Sequence, residues 1–118
     1  MSEEGVQLRV EQEADVTIIA VLTPRIPVDI SESFEEGVVK TVESLATPKV
    51  LIDFEGVEFI SSAILGKLIK LNGRMADRQG QLRLSSLSPR IAEVFRITGL
   101  DKLFKIHKTR EKAVQAFE

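Results

Sequence analysis

Apolar and polar residues alternate over the first part of the chain in a way that is typical of β-strands. Residues 6–10 alternate between apolar and polar, and residues 16–22 are rich in β-branched side chains. Only the short polar segment 11–15 separates them, and such a connection favours a hairpin. The sequence therefore begins with two antiparallel strands.

Beyond the hairpin, apolar spacing switches between short buried runs and helical periods of three and four residues. The predicted elements are a proline-containing loop at 23–30, a helix at 31–45, a strand at 50–54, a loop at 55–60, a helix starting near 63, a strand at 82–86, a helix at 89–98, a strand at 103–106 and a helix at 109–117. The order ββαβαβαβα predicts an α/β fold with a mixed sheet of four to five strands and helices mainly on one face. We expect one domain across residues 1–118, with the strand at 50–54 in its centre.

Several details of the helices are also predicted. We expect Ser31 to cap the first helix, and Gly66 to bring the second helix close to the sheet. The residues expected to be buried in the second helix are Ile64, Leu65, Leu68, Ile69 and Met75. Those expected to be buried in the third are Ile91, Val94, Phe95 and Ile97.

Composition excludes several classes of protein. There is no cysteine, so disulfides, thiolate nucleophiles and cysteine-ligated zinc are excluded. The N-terminus does not have the pattern of a secretory signal, and no apolar run is long enough to span a membrane, so we expect a cytoplasmic location without membrane insertion. Acidic side chains outnumber basic ones in residues 1–66, and basic side chains outnumber acidic ones in residues 67–118. Because few aromatic residues lie between the lysines and arginines, we expect no nucleic-acid binding.

The segment with the most chemical potential is the strand at 50–54, the loop after it, and Ser61 and Ser62 before the second helix. Binding and catalytic sites in α/β proteins usually lie in the loops at the carboxyl ends of the strands. A helix start offers free N–H groups and a positive dipole end, which favour a phosphate group. Serine is also a preferred N-cap residue, so two serines at this position are compatible with helix capping alone.

Three separated segments, in order, resemble the STAS domain, which occurs in sulphate transporters and anti-sigma factor antagonists. They are residues 53–66 (DFEGVEFISSAILG), 79–84 (QGQLRL) and 87–104 (LSPRIAEVFRITGLDKLF). The resemblance implies that this chain is an anti-sigma factor antagonist. In such proteins the first serine of an Asp-Ser-Ser-Gly-Leu-Gly motif is phosphorylated.

Aligning Leu65 and Gly66 with the end of that motif assigns the phosphorylated position to Ser62, with Ser61 as the fallback. Ser61 then stands where the family has an acidic residue, and Ile64 stands where it has glycine. We expect the bulk of Ile64 to alter the surface that a partner approaches.

The resemblance also implies a partner, an anti-sigma factor or related serine kinase, and a docking surface around the phosphorylated serine. The residues of this predicted surface are Pro24, Arg25, Ile26, Glu58, Ile60, Ser61, Ser62 and Ala63. The alternative for its charged members is that they are ordinary solvated loop residues. The alternative for the protein is a STAS subunit of a membrane-associated transport complex that is not switched by phosphorylation.

Other chemistry has little support in the sequence. His107 is the sole histidine and is far from both serines along the chain, so we expect no Ser-His nucleophilic pair. Asp53, Glu55 and Glu58 are expected to form a solvated acidic loop rather than a metal site. Glycine-rich phosphate-binding motifs are absent from the sequence. We therefore expect no catalytic residues, no metal and no cofactor.

Overall fold

The computed structural model describes residues 5–46 and 48–117. Its strands are β1 (Leu8–Glu13), β2 (Val16–Val21), β3 (Arg25–Ile26), β4 (Lys49–Asp53), β5 (Phe59–Ile60), β6 (Gln81–Ser85) and β7 (Lys105–His107). Its α-helices are α1 (Ser31–Glu43), α2 (Ser62–Asp77), α3 (Pro89–Thr98) and α4 (Arg110–Ala116). Short 3₁₀ turns lie at Val28–Ile30 and Leu100–Lys102.

Five strands form one mixed sheet in the order β1-β2-β4-β6-β7. β1 is antiparallel to β2, and all other neighbouring pairs are parallel. The predicted α/β class, the mixed sheet and the central position of β4 are confirmed. The hairpin is tighter than predicted, because residues 11–13 extend β1 and only Ala14 and Asp15 form the turn, with Ala14 at φ 55°.

The sheet buries both of its faces. α1, α2 and α3 pack their apolar stripes on one face, where the main core includes Ile52, Phe34, Leu68 and Phe95. α4 covers the other face, where Ala113 and Phe117 pack against Val16, Ile18 and Leu51. The prediction that helices lie mainly on one face is therefore confirmed, with α4 as the helix on the opposite side.

In α2 and α3, some of the apolar residues that were predicted to be buried are exposed. In α3 only Ile91 and Phe95 are buried, whereas Val94 is 37% and Ile97 68% exposed. Six residues separate Ile91 from Ile97, a rotation of about 240° that turns Ile97 away from the sheet. In α2 the buried stripe is Ile64, Leu68, Leu71 and Met75. Of the other predicted residues, Leu65 is half-buried against the main core and Ile69 is exposed, and Leu71 was not predicted.

Two predicted local roles are wrong. Ser31 does not cap α1, because Ile30 is the N-cap residue and the Ser31 hydroxyl instead donates to the Val28 carbonyl at 2.8 Å. Gly66 does not bring α2 close to the sheet, because a Cβ built at this position would have no neighbour within 4 Å. In α3, by contrast, Ser88 caps the start and Gly99 ends the helix at φ 79°.

The segments 23–30 and 55–60 were both predicted to be loops, but two residues of each form a strand, and the two strands pair with each other. β3 and β5 form a two-stranded parallel sheet in which Arg25 faces Phe59 and Ile26 faces Ile60. Both strands have only two residues, too few to produce a recognisable pattern in the sequence. This small sheet connects the segment after β2 to the start of α2.

Candidate functional site

Ser61 and Ser62 differ sharply in their accessibility. Ser62 is the first residue of α2 and its side chain is exposed. Ser61 is the N-cap residue, with φ −78° and ψ 165°, but its hydroxyl makes no cap hydrogen bond. That oxygen is buried and has no hydrogen-bond partner among the described residues. The Ser62 side chain is thus open to solvent, whereas the hydroxyl of the fallback Ser61 is inaccessible in this conformation.

Backbone hydrogen bonds fix the position of the serines. The N–H of Ser61 donates to the Ile26 carbonyl at 3.0 Å, and the N–H of Glu58 donates to the Pro24 carbonyl at 2.7 Å. These bonds hold the loop after β2 against the loop before α2. The structure thereby brings together the two separate segments of the predicted docking surface.

The predicted residues contribute to this surface in different ways. Pro24, Arg25, Glu58 and Ser62 are exposed, and Ile60, Ser61 and Ala63 are half-buried. Ile26 is fully buried, so the prediction that it contacts a partner is corrected. Its side chain packs in the main core, and its backbone carbonyl accepts the hydrogen bond from the Ser61 N–H.

Two apolar residues of this surface were missed in the sequence. The Arg25 guanidinium lies over the Phe59 ring, 5.0 Å from its centroid, and about a third of Phe59 is exposed. Val28, in the 3₁₀ turn before α1, is 66% exposed. The signal for Phe59 was an aromatic residue directly after a charged one, Glu58, in a segment predicted to be a loop. Since exposed aromatic and arginine side chains are common anchors of protein interfaces, we add Phe59 to the candidate docking surface. Val28 adds exposed apolar area beside it, because its 3₁₀ turn contacts α2.

The exposed side of α2 extends this surface beyond Ser62. Ile64 was expected to alter the surface that a partner approaches. It is completely buried in the main core, so this expectation is wrong. Gly66, one turn after Ser62, is exposed and leaves the helix flat. Further along, Lys67 donates to Glu35 of α1 at 2.8 Å, and this hydrogen bond raises the pKa of Lys67 and lowers that of Glu35. The Lys67 charge is therefore engaged by α1.

The three acidic residues near the site do not form the expected solvated cluster. Glu55 and Glu58 are exposed, but Asp53 is only 2% exposed. Asp53 accepts hydrogen bonds from Ser85 at 2.9 Å and from Arg110 at 3.0 and 3.2 Å. Its buried charge is compensated by this arginine, so Asp53 has a structural role. Within residues 5–46 and 48–117, no three His, Asp or Glu side chains cluster closely enough to hold a metal ion.

His107 lies in β7, at the edge of the sheet. Its Nε2 is 3.1 Å from Nη1 of Arg83, which is its only side-chain hydrogen-bond partner in the described part of the chain. The structure thus pairs the histidine with an arginine rather than with Ser61 or Ser62. None of the described helices is both long and apolar enough to cross a membrane.

Comparison with known proteins identifies relatives of this chain. Residues 7–113 match the family model of the STAS domain. A candidate anti-sigma factor antagonist, BtrV of Bordetella bronchiseptica, is 34% identical over 70 residues, which span 59% of this chain and 60% of BtrV.

Two solved structures have the same fold. An anti-sigma factor antagonist (STAS) domain protein from Planctomyces limnophilus is 31% identical, with a TM-score of 0.85 over 92% of this chain and 96% of that one. SpoIIAA of Bacillus, in its phosphorylated form, has a TM-score of 0.70 at 17% identity over 95% of this chain and all of SpoIIAA, a similarity of fold alone. From the match over residues 7–113, the chain belongs to the STAS domain family.

Proposed function

We propose that this protein is an anti-sigma factor antagonist that regulates transcription from the cytoplasm by binding an anti-sigma factor with serine kinase activity. The docking surface comprises the exposed parts of β3, β5 and the first turn of α2. Phosphorylation of Ser62 by the bound kinase releases the protein. The observation that carries this proposal is the exposed Ser62 side chain at the start of α2, on the same surface as the exposed pair Arg25 and Phe59.

The helix start explains why phosphorylation would leave the fold intact. A phosphate adds about −1.5 to −2 charges at neutral pH. At the first turn of a helix this charge faces free N–H groups and the positive end of the dipole. Because the Ser62 side chain is exposed, the phosphate requires no rearrangement of the core.

The same charge is unfavourable in a protein interface. A partner packed over Ser62 and Phe59 must remove water from the phosphate, and Glu58 adds a like charge near it. Losing one well-made contact at the centre of an interface weakens binding by about 2 kcal/mol. We therefore expect the unmodified protein to bind its partner and the phosphorylated protein to dissociate.

Three observations support this function over the alternatives. Relatives named as anti-sigma factor antagonists include one that is similar over nearly the whole of both chains. SpoIIAA, which has the same fold, exists in a phosphorylated form. In this chain, the side chain of Ser62, the residue that the motif alignment assigns to the phosphorylated position, is exposed, whereas the Ser61 hydroxyl is buried. The protein acts here as the substrate of a kinase and performs no reaction itself.

The experiment first isolates the partner from the native cell with the tagged protein and identifies it by mass spectrometry. Calorimetric titration then compares wild type, Ser62→Asp and Ser62→Ala. We expect Ser62→Asp to weaken binding at least tenfold, in line with about 2 kcal/mol. Ser62→Ala should bind normally and, with ATP, should not be released.

Two control variants separate the switch from general effects. Gln115→Asp adds the same charge to the exposed side of α4, which packs on the face of the sheet opposite α2, and should bind like wild type. Ser61→Ala should be phosphorylated normally. Equal affinity for wild type and Ser62→Asp, with no phosphate on Ser62 after incubation with partner and ATP, would refute the switch. Such a protein would be the unswitched docking subunit of the alternative function.

A further inference from the structure

β1 forms one edge of the main sheet, and the hydrogen bonds at its start show which residues face outward. Gln7 turns both backbone groups toward β2: its carbonyl accepts from the Leu22 N–H at 2.8 Å, and its N–H donates to Thr23 Oγ1 at 2.8 Å. Successive residues of an antiparallel strand alternate in this direction. The backbone groups of Leu8, and of every second residue after it, therefore point away from the sheet.

The side chains of β1 carry a pattern on each face. Val10, on the α1 side, is 51% exposed although it lies in the middle of the strand. Arg9 and Glu11 lie together on the α4 side and form a salt bridge. Glu11 also accepts a hydrogen bond from Arg110 at 2.7 Å, and the hydrogen bond from Arg9 is the main cause that lowers its pKa. The edge thus combines an unpartnered apolar side chain with neighbouring charges of opposite sign.

We propose that two copies of this protein associate through β1, with the strands antiparallel about a twofold axis at Val10. This register places Val10 opposite Val10 of the second copy, and Arg9 opposite Glu11 of the second copy. The outward backbone groups of Leu8, Val10 and Gln12 then form roughly six hydrogen bonds across the axis. The two five-stranded sheets become one continuous sheet.

Charge selects this register over its neighbours. Moving the axis to residue 9 places Arg9 opposite Arg9, and moving it to residue 11 places Glu11 opposite Glu11 with Arg9 opposite Glu13; like charges directly opposite are destabilising. Moving it by two residues toward the turn places Glu11 opposite Glu13. Only the axis at Val10 pairs every Arg9 with a Glu11 and covers the exposed valine.

The other edge of the sheet lacks these features. β7 has three residues, of which Lys105 and His107 turn to the same face, with no acidic residue to complement them. A second copy at that edge, with its axis at Ile106, would place Lys105 opposite His107 and would form no pair of opposite charges. Charged residues often protect sheet edges from association. On β1, Arg9 and Glu11 have opposite signs and lie symmetrically about Val10, so that each can face the other in a second copy. The order of charges on β1 therefore favours a specific dimer.

Single cysteines test the register, because the chain has none of its own. Residues in a hydrogen-bonded antiparallel pair have Cα atoms about 5.5 Å apart, within the range of a disulfide. Under mild oxidation, Val10→Cys should form a covalent dimer. Gln12→Cys should not, since the two copies of residue 12 lie roughly 13 Å apart. A mixture of Leu8→Cys and Gln12→Cys should form the mixed disulfide.

Sedimentation equilibrium over a wide range of concentrations tests the association itself. We expect a reversible dimer whose dissociation constant rises about tenfold or more in Val10→Lys, which places two ammonium groups together at the axis. Ile97→Lys, which alters an exposed apolar residue of α3, should dimerise like wild type. A monomer up to millimolar concentration would refute the proposal. So would a dimer insensitive to Val10→Lys, or equal cross-linking of the Val10→Cys and Gln12→Cys variants.

Discussion

Arg110, the first residue of α4, binds the buried carboxylate of Asp53 at the end of the central strand, with Nη2 3.0 Å and Nε 3.2 Å from Oδ2. Nη1 of the same guanidinium is 2.7 Å from Glu11 of β1. Burial alone would lower the pKa of Arg110, but its hydrogen bond with Asp53 and the charges of Asp53 and Glu11 raise it. One arginine thus ties the C-terminal helix to the centre and to one edge of the sheet.

Removing this arginine should be strongly destabilising. Arg110→Met leaves the Asp53 carboxylate buried without its cation, and the loss should be on the order of 3 kcal/mol in the free energy of unfolding. Urea denaturation measures it. Arg96→Met, which removes the exposed partner of Glu93, should change stability by less than about 0.5 kcal/mol. Equal stability of the two variants would contradict the role assigned to Arg110.

Combining Arg110→Met with Asp53→Asn tests whether the two residues act as a pair. The double variant no longer buries an uncompensated charge, so its loss of stability should be smaller than the sum of the two single losses. Strict additivity in urea denaturation would show that the arginine stabilises the protein through other contacts.

The sequence predicted the main elements because their signals are local, and the resemblance supplied the candidate docking surface. Apolar runs and helical periods indicated the central strand and α2, and the family motif indicated Ser62. Asp53 was misassigned, because the arginine that compensates it follows 57 residues later and sequence spacing does not reveal the contact. The pairing of β3 with β5 was missed for a similar reason, since it depends on tertiary contacts between two loops.

The two N-cap serines offer a matched pair for testing how α2 begins. Ser88 Oγ accepts a hydrogen bond from the Ile91 N–H at 3.3 Å, so Ser88→Ala should destabilise the protein by about 1 kcal/mol. Ser61 Oγ is buried and has no partner in the part of the chain that the structure describes, so Ser61→Ala should be neutral or slightly stabilising. Thermal and urea unfolding of both variants measure the difference. A larger loss for Ser61→Ala would mean that its hydroxyl does cap the helix.

The exposed glycines of α2 should be replaceable. Gly66 and Gly73 lie in a helix without positive φ, and a Cβ at either position has no neighbour within 4 Å. Gly66→Ala and Gly73→Ala should each raise the free energy of unfolding by about 0.5–1 kcal/mol, since alanine loses less backbone entropy on folding. Gly80→Ala is the contrast, because its Cβ would lie 2.7 Å from the Pro48 carbonyl oxygen. Destabilisation by Gly66→Ala would show a close contact at that position.

His107 gives the protein a titratable group whose environment favours the neutral ring. It is half-buried, and Nε2 lies 3.1 Å from a guanidinium that can only donate, so this nitrogen accepts. Burial, and then the positive charges of Arg83 and Lys105, lower its pKa from the ordinary value of 6.5. Arg83 also stacks over Phe117, 5.1 Å from the ring centroid, so the histidine is linked to the end of α4.

The folded protein should therefore lose stability as the pH falls through 6.5. Below that value the unfolded chain binds a proton on His107 that the folded chain does not, so the free energy of unfolding decreases until the folded-state pKa is reached. Urea denaturation at about pH 7.5 and 5.5 brackets this window, above the range where most carboxylates titrate. His107→Gln keeps an acceptor for Arg83 without titrating, so its stability should vary less between the two pH values. An equal pH dependence in wild type and His107→Gln would show that the histidine is not the group responsible.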